Sequence, residues 1–380
     1  MFEKIPLKTI FCHVEWIPVF LFAQKPQATD YNKVRSVLLT ILVRAFWCIS
    51  LGLSLCSSAG AGETLARIRE NGEVRCGVTE QLLGFSFKDE KGQWRGFNID
   101  FCRAVAAAAL GNAEQVSFTP LSAPNRFPAL LSGRIDLLAH TTTWTFGREA
   151  GIGIEFPGIY FYDGQTFGVQ TGPLQMKGIE DLNGKTICVE KGTTYGTNME
   201  DVFRKHGIDY TPLVLDSKKE LGDAFRAGRC QALTAERTVL AALRVAVPNG
   251  ADRYTILPGA ISKEPLAPAV RRGDDEWTRL IRWVLFALIE AEELGVTKSN
   301  VRSLQRETDD PALQWFLNSC GQRGKALGLK PDWVAEVISA VGNYGEIYDR
   351  NFGAASGLNI ERGMNRLWNR GGLLYAPPFQ

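Results

Sequence analysis

The chain has 380 residues, with 43 Lys and Arg against 41 Asp and Glu for a net charge of +2, and with 45% hydrophobic and 22% charged residues. That balance is ordinary for a globular protein and excludes a disordered chain, a coiled coil and a nucleic-acid binder held by bulk charge. The length suits two domains, each large enough to bury a core, and three histidines leave little for His-based catalysis or zinc.

The basic excess sits at the N-terminus. Residues 1–61 hold six Lys and Arg and three acids; without them 37 basic residues face 38 acidic ones. Val37–Leu55 is the one strongly apolar run of its length, and Arg44 interrupts it. The charge-free remainder, Ala45–Leu55, is too short for a bilayer span of about 20 residues. It fits a secretory apolar segment of about 7–15. Lys33, Arg35 and Arg44 supply the positive side, and Ala59-Gly60-Ala61 supplies the cleavage site. The mature chain is therefore expected to start at Gly62, with a retained signal anchor as the alternative. Cys12, Cys48 and Cys56 leave with the leader. Cys76, Cys102, Cys188, Cys230 and Cys320 remain, none at zinc-knuckle spacing.

From Gly62 the pattern alternates between strand and helix. Glu73–Val78 reads as a strand, and Phe85–Phe97 as a hairpin turning at Asp89–Gly92. Asn98 is expected to cap a helix that runs to Leu110 and stops at Gly111. Val116–Phe118 reads as a strand, Phe127–Leu131 as a helix and Ile135–Ala139 as a buried strand. The alternation resumes after Gly168. Late in the chain Trp277, Leu280, Ile281, Val284, Leu285, Leu288 and Ile289 keep helical spacing. Such alternation implies α/β layers with parallel pairing. Residues 129–138 also echo residues 224–233: helix end, Gly-Arg turn, buried strand. Two similarly built lobes would set Thr141 onward and Glu236 onward facing each other across a cleft, at the carboxyl ends of strands where ligands bind.

Three constellations carry chemistry. His140-Thr-Thr-Thr-Trp-Thr-Phe-Gly-Arg148 follows a strand. Its hydroxyls, its guanidinium and a helix start make a carboxylate receptor. An ordinary threonine-rich turn with a solvated arginine is the alternative. Lys191-Gly-Thr-Thr194 follows the strand Thr186–Glu190; its glycine allows close backbone approach, though such sequences are also common helix caps. Glu236 ends the echoed strand, either to pair with an ammonium group or to pair at the surface with Arg237 or Arg244. His206 reads as a solvated helix end. No nucleophile elbow, phosphate loop or HExxH is present.

In this order the motifs resemble the type II solute-binding proteins of polar amino-acid ABC importers, and in particular the general L-amino-acid-binding subfamily. Gly84-Phe-Ser86, Gly96–Asp100 with Cys102–Ala108, Asn125-Arg-Phe127, Thr141–Arg148, Tyr162–Gln165, Gly192-Thr-Thr194, Gly228-Arg-Cys230, Val341–Glu346 and Gly371–Pro378 carry the resemblance, which runs from about Glu63 to the end. It implies an α/β fold of two lobes with mixed sheets flanked by helices and two hinge strands. The parts would be 62–167, 168–264 and 265–345, with a C-terminal extension, 346–380, packing on the first lobe.

The resemblance also implies a site. Thr141, Thr143 and Arg148, helped by Thr193 and Thr194, would hold the α-carboxylate of a free L-amino acid, and Glu236 its α-ammonium. Leu82, Phe85 and Trp144 would border the ligand, with Leu82 and Ala123 leaving an aliphatic, open pocket suited to broad specificity. The subfamily usually has Asp where this chain has Glu236, and Asn where it has His140. The implied protein is a periplasmic monomer that uses no cofactor, metal or nucleic acid and serves an inner-membrane ABC permease without catalysis. The alternative is a periplasmic dehydratase acting on cyclic carboxylates such as prephenate, using Glu236 or His140 as acid/base.

Export makes disulfides plausible. Cys188 lies in the strand before Gly192 and Cys230 opens the echoed strand. Neighbouring strands lie about 4.8 Å apart, within bridging range. Cys76, on the first strand, and Cys102, on the first helix, form the second candidate pair, leaving Cys320 free. Buried free thiols are the alternative.

Overall fold

The computed structural model describes residues 62–171, 176–246, 253–319 and 324–379. The expected leader and cleavage site, and Cys320, lie outside them. The first sheet is built from β1 (Val74–Thr79), β4 (Val116–Leu121) and β5 (Leu137–Ala139), ordered β4-β1-β5 and parallel. The expected hairpin forms as β2 (Phe87–Lys88) and β3 (Trp94–Arg95). β6 (Ile154–Glu155) precedes β7 (Phe161–Gln170), which enters the second sheet with β8 (Lys185–Glu190), β9 (Tyr210–Leu215), β10 (Ala232–Glu236) and β11 (Tyr254–Ile256). Their order is β11-β7-β10-β8-β9; β8, β9 and β10 are parallel and β7 runs against them.

The two sheets share one plan. In each, the first strand lies between the second and third, and an antiparallel segment pairs beside the third. In the first sheet that segment is the bridge Leu138–Ala269, and in the second it is β7. The repeated Gly-Arg turn is part of that plan. Helices Arg126–Leu131 and Lys218–Arg226 each end in a turn whose glycine, Gly133 or Gly228, has a φ near +70° and leads to β5 or β10. The chain crosses between the sheets on β7 and β12 (Ser262–Leu266), which pair antiparallel. β13 (Val270–Arg271) pairs back with β6. This is the two-lobed type II binding-protein fold, with the paired strands as its hinge.

The alanine-rich helix Phe97–Leu110 is buried along nearly its whole length and packs on β1 and on helix Trp333–Val341. It ends at Gly111, but Asn98 does not cap it. The cap is Gly96, at φ 125°, because a Cβ there would lie 2.2 Å from the Phe85 carbonyl oxygen. Asn98 is buried inside the first turn and accepts the Tyr160 hydroxyl at 2.9 Å. Both expected disulfides form. Cys76–Cys102 spans 6.3 Å and Cys188–Cys230 spans 5.7 Å between Cα atoms. The route of the second differs from a bridge between facing strands: Leu233 is the ladder partner of Cys188, and Cys230 reaches it from the turn before β10.

The apolar stripe at Trp277–Ile289 lies on helix Asp275–Glu293 and is fully buried. Near the C-terminus, helix Tyr344–Phe352 sets Phe352 against Phe85, Phe97 and Phe161. Arg362 grips Glu292 with two hydrogen bonds. The Asn365 side chain takes both the N–H (2.7 Å) and the C=O (2.9 Å) of Tyr162 at the start of β7.

Candidate functional site

β5 delivers His140–Thr143 to the cleft. Thr142 and Thr143 pair with the chain leaving β12, through Ala267 N–H to Thr142 C=O and the Thr143–Leu266 bridge. Thr141 is buried at φ 43°, a left-handed conformation that is costly for a β-branched residue and is found where function or packing imposes it. Its hydroxyl has no partner. Thr145 then caps helix Phe146–Ile152, accepting from the Arg148 N–H. That cap fixes the backbone that carries Arg148. Its guanidinium donates to the Thr143 carbonyl at 2.7 Å and lies 5.5 Å from the Phe127 ring centre. Burial lowers its pKa to about 10, so it stays charged at neutral pH.

β10 delivers Glu236 from the other lobe. It is 2% exposed and accepts the Tyr195 hydroxyl, which removes the surface-acid alternative. Arg237 instead donates to the Gly259 carbonyl. Burial raises the Glu236 carboxyl to about 7; Lys218 opposes that rise and Glu264 adds to it.

Glu264, on the hinge strand β12, organises the hydroxyls between the two lobes. It accepts from Thr143, from Thr194 at 3.3 Å, from Asn198 at 2.9 Å and from Ser262 at 2.7 Å. A hydroxyl has one proton to give. Thr143 and Thr194 give theirs to Glu264, so toward the cleft their oxygens offer lone pairs.

Arg126 crosses the cleft. It is 2% exposed and donates to the Gly192 carbonyl of the second lobe at 3.1 Å; its centre lies 4.9 Å from the Phe127 ring. Its Nε has no partner, and the carboxylates that act on it most, Glu190 and Glu236, belong to the second lobe. Gly192 has a φ of 76°, and a Cβ there would lie 3.1 Å from Pro124 main chain, so only glycine lets the loops meet this closely.

A cavity of about 590 Å³ opens between the lobes, lined by Leu82, Leu121 and His140 on one side and Glu190, Lys218 and Leu243 on the other. Leu82 lines this cavity, whereas Thr141, Thr143, Thr194, Arg148 and Glu236 are not among its lining residues. Phe85 does not line it either: its ring packs on Phe161 and Phe352 inside the first lobe. Trp144 stacks on Phe156 and donates to Glu149, also away from the cavity. Thr193 donates to the Glu190 carbonyl as a turn bond. His206 ends its helix beside Glu180 at the surface. Sequence reasoning gave no role to Arg126, Glu190, Tyr195, Lys218 or Glu264. The first had a visible signal, a charged residue inside Asn125-Arg-Phe127. The others look like any surface charge or core tyrosine until the sheets bring them together.

The family model described as bacterial extracellular solute-binding proteins, family 3, matches residues 74–299. The chain is 45% identical over 328 residues to the general L-amino acid-binding periplasmic protein AapJ of Rhizobium johnstonii, covering 86% of this chain and 95% of that one. It is 40% identical over 327 residues to the glutamate/glutamine/aspartate/asparagine-binding protein BztA of Rhodobacter capsulatus, covering 86% and 96%. A periplasmic binding protein from Brucella ovis solved with glutathione bound superimposes with a TM-score of 0.81 at 43% identity, covering 83% of this chain and 99% of that one.

Proposed function

The chain belongs to the bacterial extracellular solute-binding proteins, family 3, and we propose that it is the periplasmic receptor of an amino-acid ABC importer, binding L-amino acids between its lobes. The family and the relatives named above are solute-binding proteins rather than enzymes, and none supports the dehydratase alternative. The single observation that carries the reading is the opposition of Arg148 and Glu236. One cation in the short helix after β5 and one buried anion at the end of β10 stand on opposite lobes, and Arg148 lies in the field of Glu236. A zwitterion satisfies both only when the lobes are closed.

In this reading Arg148 and the unpartnered Thr141 hydroxyl hold the carboxylate. Glu236 holds the ammonium, and the free lone pairs of Thr143 and Thr194 assist it. That reassigns the two threonines from the carboxylate to the ammonium, because their protons are committed to Glu264. Export through the leader would place the protein in the periplasm, and its partner would be an inner-membrane permease that reads the closed state, a population shift set by differential affinity. A thermal-shift panel of the twenty L-amino acids plus prephenate tests the reading. A ligand at 100 times its Kd adds about 2.7 kcal/mol. Stabilisation by several amino acids supports it, and stabilisation by prephenate alone overturns it.

A further inference from the structure

The interlobe cavity is lined by an ion pair that makes no hydrogen bond to Arg148 or Glu236. Lys218 Nζ lies 2.7 Å from Glu190 Oε2, and their side chains are only 8% and 2% exposed. Taking two charges out of water costs several kcal/mol per ion, and apolar residues of similar size would serve stability as well or better. The pair therefore calls for a reason beyond packing. Each partner has capacity to spare. An ammonium has three donors and a carboxylate two oxygens. Among the described residues Lys218 donates only to Oε2, and no donor reaches Oε1.

A second, independent observation concerns another residue that lines the same cavity. His140 is 1% exposed, and its Nε2 lies 2.6 Å from the Leu121 carbonyl, which makes Nε2 the protonated nitrogen. Nδ1 is then a lone-pair acceptor, and it has no partner. A buried acceptor without a donor is destabilising, and a ligand's N–H or O–H would recover that loss.

We propose that the Glu190–Lys218 pair, with His140 Nδ1, is a charge-neutral side-chain subsite that accepts acidic, amide and basic amino-acid side chains alike. It rests on the amino-acid reading above. A ligand carboxylate takes the spare N–H groups of Lys218. A ligand ammonium or guanidinium takes Oε1 of Glu190. A side-chain amide gives its N–H to His140 and accepts from Lys218. With an apolar side chain the pair stays closed on itself and offers its methylene stem. Breadth thus comes from a dipolar wall and not from the aliphatic residues alone.

Isothermal titration of L-glutamate, L-glutamine, L-lysine and L-alanine into the wild type, Lys218→Met, Glu190→Gln and the double variant tests this. The double variant keeps the wall neutral, and so guards against misfolding caused by a lone buried charge. The wild type should bind all four. Lys218→Met should weaken glutamate by about 10–100-fold, the worth of a charged hydrogen bond, while lysine holds or tightens. Glu190→Gln should do the reverse. The double variant should weaken both charged ligands and leave alanine within about threefold. Equal shifts for all four ligands in every variant overturn the subsite and leave the function standing. A wild type that binds none of the twenty amino acids overturns both.

Discussion

Glu236 is enclosed so fully that its charge is conditional. With its carboxyl raised to about 7 by burial, the empty closed protein holds a proton there more tightly than an unfolded chain does. That proton stabilises the empty protein as pH falls from about 7 toward the ordinary carboxyl range, and the stabilisation is lost as pH rises through 7. A ligand ammonium has the opposite effect, because it needs the anion. Amino-acid affinity should therefore fall as pH drops below 7, by up to about tenfold per unit, with protons released on binding at pH 6. Titrations in buffers of different ionisation enthalpy measure that release, and affinity that is flat between pH 5 and 7.5 would remove Glu236 from the ammonium. Glu236→Gln should bind weakly and lose the pH dependence. Arg148→Ala should cost about 2–5 kcal/mol of binding, since it leaves a carboxylate unpaired in a desolvated cleft, while the melting curve of the empty protein stays near that of the wild type. Both residues were legible because a strand end and a turn announce them. Glu264 was not, since nothing near Ser262-Lys263-Glu264 in sequence says that Thr143, 121 positions away, donates to it.

Elements were read well where one local rule decides them. The two helix-turn-strand units were legible because a glycine near φ +70° both stops the helix and aims the next strand. The start of helix Phe97–Leu110 was misread because a distant constraint decides it: the Phe85 main chain lies against Gly96. The disulfide of the second lobe ties β8, which leads to Gly192-Thr193-Thr194, to the turn that leads to Glu236. It closes a separation of 42 residues, and the first-lobe bridge closes one of 26. Loop entropy puts their contributions at roughly 4 and 3.5 kcal/mol. Replacing Cys188 and Cys230 together by Ala should lower denaturant stability by about that amount. It should also weaken ligand binding more than loss of Cys76 and Cys102, which lie in the core of the first lobe. Equal binding by the two double variants would show that the second bridge does not position the site. With the leader removed, the denatured, unreduced protein should contain one free thiol, and five would exclude both bridges.

At the scale of the whole molecule, closure is recorded by contacts that no local pattern reveals. The echo between residues 129–138 and 224–233 made two lobes legible, but Arg126 and Gly192 meet from 66 positions apart. The carboxylates that act most on the Arg126 guanidinium, Glu190 and Glu236, lie on the far lobe, so its bond to Gly192 is expected to favour closure without touching the ligand. Its effect must then be the same for every ligand, unlike that of Lys218. Arg126→Ala should weaken glutamate, lysine and alanine by one common factor, about 10–100-fold for a charged hydrogen bond. Small-angle scattering at saturating ligand should still reach the wild-type closed radius, because excess ligand restores the population that the variant loses. Arg126→Lys should recover only part of the affinity, since an ammonium keeps the charge but lacks the flat face that lies on Phe127. Losses that differ from ligand to ligand would instead put Arg126 in direct contact with bound side chains, and unchanged affinity would mean that the Gly192 bond does not bias closure.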